Sequence, residues 1–315
     1  MNGSDQSKFS RLINKLINTL VNRQSMPSKL FLAFLAGLIL SFSWPVKAGS
    51  PVWRIEHDGA VVFVAGTIHV LADADYPLPT AFDMAYQSAD RLVFETDIDA
   101  MSSPDIGQKM LLSASYTGGR RLQDDLSPDT YQQVETFFAE RGIPMTQMSG
   151  LKPGMISIVM TLTELQRLGQ AGTGVDEFFY ERAREDMKAR DYLESVDMQI
   201  GFLADLGVGQ EDEFIRYTLR DLADLPTLWR DLKVAWRSGD LTRLDKLAGE
   251  SMREDFPAVY RDLVVERNRA WIPKLNQMFH SEEVELVLVG ALHLAGPDGL
   301  IEHFMRRGYQ VTPLP

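Results

Sequence analysis

The sequence predicts an α/β protein built on a mixed β-sheet core with a large, mostly helical insertion. Three observations carry this. β-Branched apolar runs open the folded part, in "VWRIEHDGAVVFVAG" from Val52. The stretch from about 99 to 281 repeats its apolar residues mostly at helical spacing. From Glu283 onward an apolar strand, an amphipathic helix and a second strand follow one another, the grammar of a layered α/β core.

Taken in order, the first two runs meet across Asp58-Gly59, the dipeptide that most favours a tight hairpin. They should form antiparallel strands. Ala81, Met84, Ala85 and Ser88 then keep helical spacing after Pro79, and "RLVFET" (91–96) reads as a short strand. Ser127-Pro128 has the N-cap and first-turn signature of a helix, with Tyr131, Val134 and Phe138 on one face and Gly142 at its stop. Further helices are expected over 175–188, 196–206, 211–238, 241–251 and 255–276, with breaks at Pro226, Gly239-Asp240, Pro257 and Pro273. A short strand near 191–193 should interrupt them. "EVELVLVG" is a buried strand, 297–307 a helix with Leu300, Ile301, Phe304 and Met305 on one face, and "YQVTP" a last strand. Joined through a helix, these last two should pair in parallel. No solenoid repeat or long linker divides the part after Gly49, so the chain reads as a signal peptide (1–48) and one domain (49–315), with sheet core 49–98 and 282–315 and insertion 99–281.

Residues 1–29 carry five basic residues against Asp5, and the apolar run Leu30–Trp44 has 15 residues, short of the roughly 20 that span a bilayer. With small Ala48 after Val46, this is the layout of a signal peptide cut after Ala48, Met26 being an alternative start. The rest of the chain should be exported, to the periplasm or outside the cell, with an uncleaved anchor as the other reading and the one route to a membrane. The net charge of −12 becomes −17 once those 48 residues, with six bases and one acid, are removed. So acidic a chain offers no footprint for a nucleic acid or an anionic membrane surface. Zero cysteines exclude disulfide scaffolds, thiolate metal clusters and a cysteine nucleophile.

The chemistry concentrates in two copies of one local pattern. Gly66-Thr67-Ile68-His69 and Gly290-Ala291-Leu292-His293 each follow an apolar strand. Ligands of α/β sheets bind beyond the carboxyl ends of strands, and a Gly there lets the chain turn so that the residue three on faces the crevice. "RLVFE" brings Glu95 to an equivalent end. His, Glu and His are the ligand set of many catalytic divalent-metal sites. His57, His280 and His303 are expected in a turn or on helix surfaces, solvated. No His-Glu-x-x-His, Gly-x-Ser-x-Gly, phosphate-loop or dinucleotide fingerprint occurs.

With "GTIHVL", "LVFETD", "GTGVDEFF", "LESVDMQIGFL", "ERNRAWIPKL", "GALHLAGPDGL" and "GYQV" in this order, the chain resembles the TraB/GumN family, relatives of TIKI proteases and PrgY, over nearly all of 49–315. The resemblance implies the fold of erythromycin esterases and the haem-binding lipoprotein ChaN, and a divalent-metal-dependent peptidase or hydrolase requiring His69, Glu95 and His293. It also points to Asp176, Glu194, Gln199, Arg267 and Asn268. These could orient ligands, bind a peptide backbone or carboxylate, or hold a developing oxyanion, Arg267 being the choice for the last. Each also has a structural reading: Asp176 at a helix N-terminus, Glu194 as a cap, Arg267 in an internal pair.

The expected function is therefore an exported hydrolase of peptides or small proteins, with Mn²⁺, Co²⁺ or Zn²⁺ activating water. If Glu95 is a ligand, Glu194 could be the base; if Glu95 is the base, Asp176 could complete the ligands. The other class is a non-catalytic protein that sequesters a peptide or a tetrapyrrole, whose iron two histidines would also suit.

Overall fold

The computed structural model describes residues 49–315; the expected signal segment, and with it the start and cleavage site, lies outside the described residues. Among the described residues no helix is long and apolar enough to cross a membrane.

Six strands form one mixed sheet: β1 (Val52–His57), β2 (Ala60–Thr67), β3 (Arg91–Phe94), β4 (Ala189–Tyr192), β5 (Glu285–Gly290) and β6 (Gln310–Pro313), in the order β4-β3-β5-β2-β1-β6. The hairpin between β1 and β2 turns on Asp58 (φ 50°) and Gly59 (φ 86°), both in the left-handed region that a two-residue hairpin demands. β5, from the far end of the chain, inserts between β2 and β3 and runs parallel to both. The expected pairing of the last two strands is corrected: β6 pairs antiparallel with β1, and β2 and β1 lie between it and β5. A crossover helix sets the direction of the next strand, not its neighbour, and the β1 edge was the open one.

The longer helices are α1 (Thr80–Ser88), α2 (Pro104–Ser113), α3 (Pro128–Ala139), α4 (Pro153–Arg167), α5 (Val175–Glu185), α6 (Val196–Ala204), α7 (Glu211–Arg237), α8 (Glu266–Met278) and α9 (Leu300–Arg306). Alternation along the central strands feeds two cores. Phe63, Ala65, Leu286 and Leu288 face Phe82, Phe179 and Trp236. Val62, Val64, Val287 and Val289 face Trp271, Leu275 and Phe304. Both faces are covered, which is why these strands read as unbroken apolar runs. A third core, holding Phe138, Ile156, Val159 and Leu222, belongs to the helices alone.

Several local expectations change. Met84 and Met305 are exposed and Tyr131 is partly exposed, while Phe82, Tyr86 and Phe137 take the buried faces of their helices. α7 runs unbroken through Pro226 and α8 through Pro273. Each proline lies on an exposed face, and the buried contacts before and after it outweigh a cost of about 3 kcal/mol. The helix expected over 241–251 contains a π turn at Asp245–Gly249, and the following one starts at Pro257 and contains another at Arg261–Val265. His57 is not solvated in a turn: it ends β1 and stacks on Tyr309, ring centres 4.0 Å apart.

Ser127 caps α3 by accepting from the Thr130 N–H, and Gly142 (φ 70°) closes it, as expected. Nearby, the buried Glu164 of α4 binds both Arg141 (2.8 Å) and Arg167 (2.6 Å). The Arg167 hydrogen bonds, against the opposing effect of burial and with the help of Arg141, hold its carboxyl below the usual range. A depressed carboxyl stabilises the fold above its unfolded value, about 4.3, and loses that contribution as pH falls through the folded one. Glu164→Gln should therefore cost about 1–3 kcal/mol at pH 7. In denaturant titrations at stepped pH, its deficit against wild type should shrink below about pH 4; a constant deficit would reject the charge-based account.

Candidate active site

Three neighbouring parallel strands end at one edge of the sheet. Thr67 of β2 lies opposite Gly290 of β5, and Phe94 of β3 opposite Leu288, so the residues that follow leave the sheet side by side. Gly290 is the floor they share: a Cβ there would lie 3.3 Å from Glu95 Oε1, 3.6 Å from His293 Cδ2 and 3.8 Å from His69 Nε2. Gly66 fills a packing role, since a Cβ would press on Ala291 and Leu294 at 3.2 Å. The three strand-end residues named from sequence thus converge.

Each is fixed by a second group. At Gly174, which precedes α5, a Cβ would fall 2.2 Å from the His69 carbonyl oxygen, so only glycine lets this helix approach the His69 loop. Asp176, in its first turn, then accepts from His69 Nδ1 at 3.1 Å. Asn268 Nδ2 donates to the carbonyls of His293 (3.0 Å) and Asp298 (2.9 Å). Its Oδ1 must therefore accept, so His293 Nδ1 (2.8 Å away) carries the proton and Nε2 is left with its lone pair. Glu95 Oε1 accepts from the Gly290 N–H (2.7 Å), and Oε2 from Arg267 (2.5 Å) and Gln199 (3.2 Å).

Arg267 is the hub. Its guanidinium donates to both oxygens of Glu194 (3.1 and 2.7 Å), to Glu95 and to His293 Nε2 (3.0 Å). A guanidinium has five N–H groups, so four are engaged and one is left over. Trp271, one helical turn on, donates to Glu194 Oε2 (3.0 Å) and packs its ring 4.4 Å from that of His293. Ser195, not Glu194, caps α6.

The electrostatics follow. Burial would raise the Glu95 carboxyl, but the Arg267 charge, with the neighbouring imidazoles and the Gly290 N–H, holds it at about 2. Burial drives His293 down to about 3, so it is a neutral acceptor. The Asp176 charge outweighs burial at His69 and lifts it to about 9, and its side chain is 49% exposed. Burial raises Glu194 in spite of Arg267. Burial works against the Arg267 charge, but Glu95 and Glu194 more than offset it, leaving Arg267 raised.

Two cavities meet at this edge. The larger, about 520 Å³, is lined by Met155, Leu162, Trp229 and other apolar side chains, and at one end by Thr67, His69, Glu95, Arg267 and His293. The smaller, about 230 Å³, shares Thr67, His69, Glu95 and Arg267 and adds Thr96, Asp176 and Gln199. Glu194 lines neither.

The donors suit a divalent ion chemically: two imidazoles anchored at Nδ1 and an ionised carboxylate. Their spacing is wider than one ion needs. His293 Nε2 and Glu95 Oε1 are 4.0 Å apart, against about 3.4 Å for two ligands of a tetrahedral ion. Among the described residues no three His, Cys, Asp or Glu stand close enough to share an ion.

All ten residues singled out from sequence lie at this edge or pack beneath it. Reading the sequence missed Thr67 and Thr96 as polar lining, and Trp271, although four residues after Arg267 is the spacing of one helix face.

A sequence model of the TraB/PrgY/gumN family matches residues 51–313. The uncharacterized protein YbaP of Shigella flexneri is 28% identical over 267 residues, 82% of this chain and 91% of that protein. YbaP of Escherichia coli K12 is 28% identical over 242 residues, 75% and 84% of the two chains. No solved structure matches. With the matched span running from the residue before β1 to the last residue of β6, the chain belongs to the TraB/PrgY/gumN family.

Proposed function

We propose that this protein is a divalent-metal-dependent hydrolase of amide bonds, acting on a peptide or small protein after export. The observation that supports it is the convergence of His69, Glu95 and His293 on Gly290, where both imidazoles are held through Nδ1. To hold Mn²⁺, Co²⁺ or Zn²⁺ these three residues would have to draw closer than the 4.0 Å that separates His293 Nε2 from Glu95 Oε1, and His69, oriented by Asp176, would have to give up its Nε2 proton. Such an ion lowers the pKa of a bound water towards ~7 and polarises a carbonyl. Glu95, ionised far below neutral pH, supplies negative charge and is a weak base, which favours the ligand role. With His293 Nε2 turned to the ion, the N–H that Arg267 gives it here would be released, and Arg267 would direct the N–H groups not held by Glu95 and Glu194 towards the oxygen on which charge develops. Glu194, away from both cavities, fixes Arg267 and is a positioning residue. Gln199, which donates to Glu95 Oε2, helps to hold that carboxylate in place.

The test is metal analysis of His69→Ala, His293→Ala and the double variant, with cleavage of a peptide library with and without chelator. Each single variant should lose most of the bound metal while keeping its near-UV circular dichroism. The double should be hardly worse, because ligands of one ion act as a unit. Additive or absent effects would reject a shared ion. The apolar cavity also favours a second reading, a protein that sequesters a tetrapyrrole or peptide without turnover; a strong visible absorption band in the purified protein would mark the haem-binding form.

A further inference from the structure

We propose that the substrate is an acylated amine: a hydrocarbon chain fills the larger cavity, and the amine it acylates occupies the smaller one. This rests on the hydrolase reading and names its substrate class.

The two cavities share Thr67, His69, Glu95 and Arg267, so a molecule lying through both places its middle at the site. They differ in chemistry. Beyond the site, the larger cavity is walled almost wholly by carbon. Of its few polar groups, Ser157 is already bonded to Thr218 at 2.9 Å, and the Trp229 Nε1–H is an unpaired donor in an otherwise apolar wall. A peptide backbone threaded there would bury N–H and C=O groups without partners, at a cost that opposes entry. An alkyl chain has none to satisfy. At about 520 Å³ the cavity is of ordinary size for a ligand pocket.

The smaller cavity is mixed: Phe94, Ile98, Met101 and Phe202 line it, and so do seven polar or charged residues. Thr67 and Thr96, 2% and 5% exposed, have hydroxyl oxygens without a hydrogen-bond partner among the described residues, as has Asp176 Oδ1. All three line it. Buried polar atoms left unpaired are rare in native proteins and call for an explanation, of which a bound hydrogen-bonding group is one. Two hydroxyls and a carboxylate oxygen suit an amine that donates hydrogen bonds. In the reaction, the oxygen of water bonds to the acyl carbon and the C–N bond breaks. The leaving nitrogen takes the protons, giving a carboxylate and an ammonium ion.

The experiment measures binding of hexanoate, octanoate, decanoate and dodecanoate by calorimetry, together with hydrolysis of N-dodecanoylglycinamide and of an unacylated peptide library. Affinity should rise about fourfold per methylene, the equivalent of about 0.8 kcal/mol. Leu162→Trp, which fills the larger cavity, should abolish that dependence, and Met155→Phe serves if the first variant loses its near-UV spectrum. A flat series, or one unchanged in both folded variants, overturns the proposal. If peptides are cleaved and chain length has no effect, the acyl site fails and the hydrolase reading stands. If the fatty acids bind as expected but no amide is cleaved, the hydrocarbon site stands as a binding site and the hydrolase reading fails, taking the acylated amine as substrate with it.

Discussion

Arg267→Ala is expected to destabilise the protein by about 3–5 kcal/mol, a fall in melting temperature of roughly 10 °C for a chain of this size. The reason is in what it leaves behind. Glu95 and Glu194 are buried, each ion-paired to this guanidinium (2.5 and 2.7 Å). Removing it leaves two like charges in a poorly solvated space. Arg267→Lys should recover part of the loss, since an ammonium keeps the charge but cannot reach two carboxylates and an imidazole in one plane. Adding Glu194→Gln to Arg267→Ala should cost less than the sum of the single changes. Thermal unfolding of wild type, Arg267→Ala, Arg267→Lys, Glu194→Gln and the double variant checks this, and strict additivity would show that the contacts do not act as a network.

The second large effect is on turnover. Glu95→Gln keeps the shape but removes the charge, and it turns an amide donor towards either the Gly290 N–H or the Arg267 guanidinium, both donors already. Whether Glu95 is ligand or base, turnover should fall ~10²–10⁴-fold, while binding of substrate survives. Single-turnover cleavage beside equilibrium binding separates the two. If wild type, reconstituted with Mn²⁺, Co²⁺ or Zn²⁺, cleaves nothing and both proteins bind the same ligand alike, sequestration replaces hydrolysis as the reading.

Much of this arrangement is legible along the chain because it is local. Asp58-Gly59 specifies its hairpin, Ser127-Pro128 starts its helix, and two Gly-x-x-His turns after apolar strands announce a site. What cannot be read is set by distant partners. The place of β5 between β2 and β3 depends on pairing across the whole chain. Pro226 and Pro273 break a local rule that tertiary packing overrides. The π turn at Arg261–Val265 departs from the 3.6 period on which helix reading depends. Without the family resemblance, nothing in the sequence would have joined Arg267 to Glu194 and Glu95; the ion pairs span 73 and 172 positions. Thr67 went unnoticed inside a motif whose Gly and His drew attention.

The late insertion of β5 has a consequence for biosynthesis. As the chain leaves the ribosome, β2 and β3 emerge early but have no shared neighbour until residues 285–290 follow. Gly290 and His293 arrive with that strand, so the ensemble of side chains around Gly290 cannot exist in a nascent chain. So non-local a closure makes folding slow relative to a helical bundle. It also leaves this cluster unassembled throughout synthesis: a chain ending anywhere before β5 carries His69 and Glu95 at the ends of strands that nothing yet holds side by side.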